Sequence, residues 1–508
     1  MRKNLLSQRH IKQLGLFSGI AGFLLTLFFS NISPDKPEIT ATLATGILMA
    51  VWWITEAIPI SVTALLPVVL FPFLGIMDGK AVSSVYFNHI IFLFLGGFLM
   101  AGAMEKHGLH KRIALRILLI TGSGFGQILF GFMFATAFLS AWMSNTATAM
   151  MMIPVVLSVI IKLNDFLPPR DVKKVTYSLL LGIAYSASAG GISTLIGTPP
   201  NLSFARIFNI IFPAAPEISF SSWVLFALPI SIIMIIAVWL VLYLKYKPAV
   251  KTIEGSTTLF REELQKLGPI NFEEKVVGIT FSTLALMWIS RSGFTTDSFS
   301  IPGWSAWLNH PELINDGTVA ILAALLLFII PSKNKPGNLL DAKAITSLPW
   351  NIVLLFGGGF ALAQGFTESG LAVWLGDQMK FISDFPLFIV VLIVALFMSF
   401  LTELTSNTAS TEMFLPILAG IGISTGINPL IFMLPATVAA SLAFMLPVAT
   451  PPNAVVFGTK KLEIREMVRT GVLLNFIGVI IVALAVYFWA PHIFNINFTE
   501  MPAWAVSQ

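Results

Sequence analysis

The chain has 508 residues, of which 56% are hydrophobic and 11% charged, and its mean hydropathy of +0.86 excludes a soluble globular domain; the solvent for most of it is lipid. Cysteine is absent, which excludes disulfides and thiolate metal centres. The net charge of +5 does not signal a nucleic-acid partner, because the basic residues fall in short loops between apolar runs, where membrane topology requires them.

A hydrocarbon core about 30 Å thick takes about 20 apolar residues per helix, and such runs recur from Leu14 to Trp489. They predict an all-α polytopic membrane protein with about 11 transmembrane helices, expected in a bacterial inner (plasma) membrane. The first run, Leu16 to Phe29, is followed by SNISPDKP rather than a small-residue cleavage site, so it reads as an anchoring helix. Arg2, Lys3, Arg9 and Lys12 before it place the N-terminus in the cytoplasm. In mid-chain, residues 245–275 hold Lys245, Lys247, Lys251, Arg261, Lys266 and Lys275 and read as a cytoplasmic linker, whereas 293–316 contains no Lys or Arg and faces outside. Lys333, Lys335 and Lys343 mark the return inward, and the C-terminus, without Lys or Arg after Arg469, ends outside.

Three pairs of segments repeat in order. LFLGGFLMA (Leu93 to Ala101) matches LFGGGFALA (Leu355 to Ala363), with Gly97 and Gly359 262 positions apart. Ser144, Asn145 and Thr146 match Ser406, Asn407 and Thr408, again 262 apart. Thr198 to Asn201 match Thr450 to Asn453, both TPPN, at 252. The loop charges invert between the halves. Lys106, Lys111, Arg112 and Arg116 follow the first Gly-Gly segment but only Lys380 the second. Lys162, Arg170, Lys173 and Lys174 precede the first TPPN, but Leu418 to Leu430 is uncharged; Lys460, Lys461, Arg465 and Arg469 follow the second TPPN, but only Arg206 the first. Two inverted repeats are therefore predicted, with re-entrant hairpins and broken helices. The chain divides into 1–85, a first repeat unit over 86–215, a central section with the linker over 216–345, a second repeat unit over 346–460, and a C-terminal helix over 461–508.

The Gly-Gly segments, ending near Gly108 and Gly370, read as the re-entrant hairpins. The uncharged run from Phe125 to Ile161 is about twice one span and reads as a helix broken at its middle. Ser, Asn and Thr favour helix caps, so a second half-helix begins at each SNT with its positive dipole end in the protein, an anion site. Pro199 and Pro200 lack donors and disfavour helix at Thr198, which frees carbonyls such as that of Gly197 for a cation; Pro451 and Pro452 do the same for Ala449. Glu403 and Glu412 flank the second SNT as intramembrane carboxyls, either proton carriers or paired polar groups. No catalytic site is expected: the six histidines lie away from these motifs, HExxH is absent, and the one GxSxG string, GISTG from Gly422 to Gly426, reads as a turn between spans.

SNTAT, TSNTAST, both TPPN motifs and SLAFMLPVATPPNAVV (Ser441 to Val456) resemble the signatures of the divalent anion/sodium symporters, which include the INDY-type dicarboxylate transporters. The resemblance implies a homodimer in which scaffold helices (1–85 and 216–345) support transport parts (86–215 and 346–460) that move as an elevator. It implies one sodium site at Ser140, Ser144, Asn145 and the Gly197 carbonyl, and a second at Thr402, Ser406, Asn407 and the Ala449 carbonyl. Substrate carboxylates would meet Ser144, Asn145, Thr146, Ser406, Asn407 and Thr408, with Thr198, Pro199, Thr450 and Pro451 closing the site. Independently, no Lys, Arg or His occurs over 132–160, 180–205 or 400–457, so a dianion there needs bound cations, and Na+ suits the oxygen ligands on offer. Sodium-coupled symport of a small dicarboxylate of the succinate, malate and fumarate class is the reading. A sodium-independent dicarboxylate exchanger and a sulfate or citrate carrier are the alternatives.

Overall fold

The computed structural model describes residues 2–30, 32–164, 167–249, 256–295, 300–498 and 500–506; Lys251 of the basic linker lies outside the described residues. The chain is helical almost throughout, and its paired strands among the described residues are one short hairpin, Gly293–Thr295 (β1) with Ser300–Pro302 (β2). In chain order the first half contributes α1 (Arg2–Phe29), α2 (Pro37–Thr55), α3 (His89–Lys106), α4 (Leu109–Thr121), α5 (Phe125–Ser140), α6 (Asn145–Leu163), α7 (Pro169–Gly191), α8 (Pro199–Ile211) and α9 (Phe220–Tyr246). The second contributes α10 (Phe272–Ser290), α11 (Asp316–Ile329), α12 (Trp350–Ser369), α13 (Leu371–Gln378), α14 (Leu387–Leu401), α15 (Asn407–Thr425), α16 (Leu430–Ala440), α17 (Pro451–Gly458) and α18 (Ile464–Leu484). Among the described residues, seven helices are long and apolar enough to cross a membrane by length and composition.

Ion pairs define one face of the molecule. Lys106 meets Asp341 at 3.0 Å, Arg112 meets Glu274 at 2.9 Å, Lys173 meets Glu463 at 2.8 Å and Lys245 meets Glu466 at 3.3 Å. These contacts gather the C-terminal ends of α3 and α9 with the N-terminal ends of α7, α10 and α18, so these ends share a basic face. On the opposite face Arg291, at the end of α10, is held by Asp316 and Glu217.

The SNT segments are the re-entrant hairpins. α5 starts at the basic face, where Trp239 of α9 donates to the Gly126 carbonyl at 2.9 Å and Phe125 stacks on Tyr243. α6 returns there, since only residues 164–168 separate it from α7. The chain therefore reverses at 141–144 instead of continuing as a broken helix. In the second half α14 starts at the opposite face, where Phe388 packs on Tyr487 beyond the end of α18, and α15 returns to that face to enter α16. The two hairpins enter from opposite sides.

The Gly-Gly segments are not hairpins. α3 runs unbroken through Gly96 and Gly97 for 18 residues, and α12 through Gly357 to Gly359 for 20. Gly108 and Gly370, at φ of +76° and +79°, end these spans and start α4 and α13. The glycines serve helix packing: a Cβ on Gly96 would lie 2.5 Å from that of Ala320 on α11. The broken crossings are instead α7 with α8, interrupted at 192–198, and α16 with α17, interrupted at 441–450. GISTG, expected in a turn between spans, is the last turn of α15, closed by Gly426 in the left-handed conformation as a helix C-cap. Two apolar cores form, a large one around both hairpins and a smaller one joining α2, the Leu66–Phe73 helix and one side of α12 through Trp53, Phe71, Leu362 and Phe366.

Candidate functional site

Both hairpin tips and both helix breaks converge on one cavity of about 430 Å³. Its lining holds Ser144, Asn145 and Thr146 with Ser406, Asn407 and Thr408, and Gly197, Thr198 and Pro199 with Ala449, Thr450 and Pro451. Of the residues singled out in the sequence, Ser140 and Thr402 are absent from the wall; both are fully buried behind it. A larger groove of about 750 Å³, lined by Phe125, Phe130, Trp239 and Tyr243, lies at the basic end of α5 and contains none of the motif residues.

The helices that start at the cavity explain how it can hold an anion. α6 begins at Asn145, α8 at Pro199, α15 at Asn407 and α17 at Pro451, so four N-termini point inward. Each carries about half a positive charge on unsatisfied N–H groups. Proline suits the first turn of a helix, where its missing N–H is not needed. The two TPPN motifs are thus helix starts as well as sources of free carbonyls.

In the first half, oxygens cluster as a cation would want them. Ser140 Oγ lies 2.5 Å from Asn145 Oδ1 and 2.8 Å from the Ala187 carbonyl oxygen. A hydroxyl has one proton, so one of those oxygen pairs lacks a hydrogen between its members. A Cβ on Gly191 would lie 2.7 Å from Asn145 Oδ1 and 3.0 Å from the Gly197 carbonyl oxygen, which sets these two oxygens around the same point. In the second half, Asn407 Oδ1 is buried without a hydrogen-bond partner. Thr402, the repeat equivalent of Ser140, donates instead to the Met398 and Ser399 carbonyls of its own helix at 3.0 and 3.2 Å. Its oxygen keeps lone pairs for a cation, but the structure does not bring it to Asn407 as it brings Ser140 to Asn145.

Residues outside the expected ligand set also shape the site. Asn201 closes the first TPPN, and its Nδ2 donates to the carbonyls of Gly191, Ile192 and Thr194 at 3.4, 3.1 and 2.7 Å. Asn453 does the same in the second, to Ala443 and Leu446 at 3.2 and 3.0 Å. Glu403 accepts from the Met445 and Leu446 amides, both at 2.9 Å, and from Asn475 at 2.8 Å, so it is a paired polar group that braces the second break. Thr198 and Ser441 hydroxyls meet at 3.4 Å across the two halves. Glu56 reaches the cavity mouth from the end of α2, at φ +47° and 3.7 Å from Lys12. Its carboxylate is the charged side chain of a lining that contains no Lys, Arg or His among the described residues.

Oppositely entering hairpins and paired broken helices around a central cavity are the architecture of a secondary transporter. The chain belongs to the sodium:sulfate symporter family, whose transmembrane-region model matches residues 17–496. It is 42% identical over 493 residues to the sodium-dependent dicarboxylate transporter SdcS of Staphylococcus saprophyticus, covering 96% of this chain and 93% of that one. Its similarity to SdcS of Staphylococcus aureus is the same, 42% over 494 residues with 96% and 93% covered. Among solved structures its fold is similar to that of the YdaH transporter of Alcanivorax borkumensis, at a TM-score of 0.50 and 14% identity over 81% of this chain and 89% of that one.

Proposed function

We propose that this protein is a sodium-coupled symporter of a small dicarboxylate of the succinate, malate and fumarate class. The observation that carries the reading is the cavity itself: two SNT tips and two TPP breaks face each other around it with no fixed cation among the lining residues. A dianion held only by helix ends and hydroxyls needs mobile counter-charge, and the SdcS relatives are named for sodium and dicarboxylate. Sodium would sit at Ser140, Ser144, Asn145 and the Gly197 carbonyl in the first half. In the second it would sit at Thr402, Ser406, Asn407 and the Ala449 carbonyl, where the unpartnered Asn407 oxygen supports the assignment. Carboxylates would take Ser144, Asn145, Thr146, Ser406, Asn407 and Thr408, with Thr198, Pro199, Thr450 and Pro451 at the walls. Two anion-binding ends favour a molecule charged at both ends over sulfate, although the family description names sulfate.

In this reading the cycle is an elevator: the parts over 86–215 and 346–460, with their hairpins and broken helices, move against scaffold helices over 1–85 and 216–345. α9, within 216–345, bonds to the first broken crossing, where Ser231 and Trp223 donate to the Ala189 and Ile192 carbonyls at 2.7 and 3.0 Å. The basic face is cytoplasmic, with the N-terminus inside and the C-terminus outside, and by family resemblance the unit in the bilayer is a homodimer. Radiolabelled succinate uptake into proteoliposomes under an inward sodium gradient, and with choline in place of sodium, tests the proposal. Uptake that ignores sodium but requires internal dicarboxylate would make the protein an exchanger. Inhibition by unlabelled sulfate but not by malate would move the substrate to sulfate.

A further inference from the structure

The second hairpin carries a carboxyl that the proposed cycle does not use. Glu412, one and a half turns into α15, is fully buried. Its Oε1 accepts from the Ser203 hydroxyl on α8 at 3.0 Å, and its Oε2 has no hydrogen-bond partner. Facing it on α12 is Gly359, where a Cβ would lie 2.3 Å from Oε2. The triple glycine of α12 therefore admits this carboxyl to the helix interface. The titratable neighbour is Tyr86, whose hydroxyl is committed to the Ala64 carbonyl at 2.6 Å. On α8 the nearest base in sequence, Arg206, donates to Asn209, and no Lys, Arg or His occurs over 400–457. An ionised carboxylate with one hydrogen bond and no cation is strongly disfavoured in such a place, whereas an uncharged carboxyl is tolerated. The group is also private to one half: the repeat equivalent is Met150, which is 52% exposed.

What the bond joins gives it a task. Ser203 lies one turn below Pro199, the start of α8 at the first TPPN, and Glu412 lies just below Asn407, the start of α15 at the second SNT. We propose that Glu412 is a positioning residue, acting uncharged, whose bond to Ser203 sets the spacing between the α8 start in the cavity wall and the α15 start that takes a substrate carboxylate. Each sodium site is built within one half, so this cross-half bond controls substrate affinity and leaves sodium affinity alone. The inference rests on the symport reading above.

The test uses the full-length protein in proteoliposomes. Glu412→Gln keeps size, neutrality and the bond to Ser203, and is expected to match wild type in succinate KM and sodium half-saturation. Glu412→Ala and Ser203→Ala are expected to raise succinate KM about tenfold with sodium half-saturation unchanged. A Glu412→Gln variant as impaired as Glu412→Ala, or one with altered sodium cooperativity, would show that the charge or proton is what matters and would overturn the proposal. A second measurement does not depend on the substrate. The thermal stabilities in detergent of Gly359→Ala, Glu412→Ala and the double variant are expected to be non-additive, because removing the carboxyl makes room for the new methyl; additive losses would overturn the contact. Wild type that takes up no succinate while the melting cycle shows coupling would sink the symport reading and leave the Glu412 contact standing.

Discussion

Alanine at Gly191 puts a methyl carbon where the first oxygen cluster closes, 2.7 Å from Asn145 Oδ1 and 3.0 Å from the Gly197 carbonyl oxygen. The Asn145 amide can swing away only by leaving Ser140 Oγ, 2.5 Å from it. The loop that carries Gly197 cannot retreat easily either, because Asn201 holds three of its neighbouring carbonyls. One oxygen must therefore be lost or displaced. A hydrogen bond or ligand to a charged group is worth about 1.5–3 kcal/mol, so sodium half-saturation should rise about 10- to 150-fold. The assay is succinate uptake titrated with sodium at saturating succinate, beside a thermal melt showing that the variant is folded. The repeat equivalent, Ala443, already carries a Cβ, so Ala443→Gly should leave the titration unchanged. A Gly191→Ala protein with wild-type sodium half-saturation would refute the assignment of that cluster to sodium.

Asn145→Ala and Asn407→Ala should each abolish uptake while eluting as wild type on size exclusion; normal transport by either would remove that asparagine from the site. Arg112 donates to both Glu274 oxygens, at 2.9 and 3.0 Å, with both side chains about one-twentieth exposed, so Arg112→Ala should cost about 3–5 kcal/mol by stranding a buried carboxylate. A melting temperature within a degree or two of wild type would contradict this. Glu463, outside the spans, is held below the ordinary carboxylate range by its hydrogen bonds from Lys173 and Tyr177. A carboxyl depressed in the folded state stabilises fully above its unfolded value, about 4.3, and the contribution disappears as pH falls through the lower, folded value. Wild type should thus lose stability more steeply than Glu463→Gln below about pH 4; identical acid melting curves would rule the contact out as a contributor.

Repetition and inversion were legible in the sequence because they depend on residue identity and loop charge, which lie open along the chain. The location of the hairpins was not. A Ser-Asn-Thr break looks the same whether the helix resumes its course or folds back, and only the packing of both arms on α7 decides that α5 and α6 reverse. Glycine doublets likewise resemble a turn until their partners are known; in α3 and α12 those partners are Ala320 and the Glu412 carboxyl. Two prolines after a threonine mark a helix start as well as a helix break, and that pattern points two further N-termini at the cavity. Asn201, Asn453 and Glu403 act on loop amides and carbonyls whose proximity no linear pattern records.

The four helix ends around the cavity have a consequence for when the carrier can move. They attract an anion with partial charges that never leave, and they contribute no whole charge to the empty site. An unloaded cavity therefore carries only the Glu56 carboxylate of its lining as a whole charge, and a dianion with matching sodium leaves that balance unchanged. A dianion alone, or sodium alone, leaves a net charge that would have to be drawn through a low-dielectric seam, where it is heavily penalised. On the proposed symport reading, coupling then needs no dedicated gate: the energetic cost of partial loads keeps them at the surface where they bound.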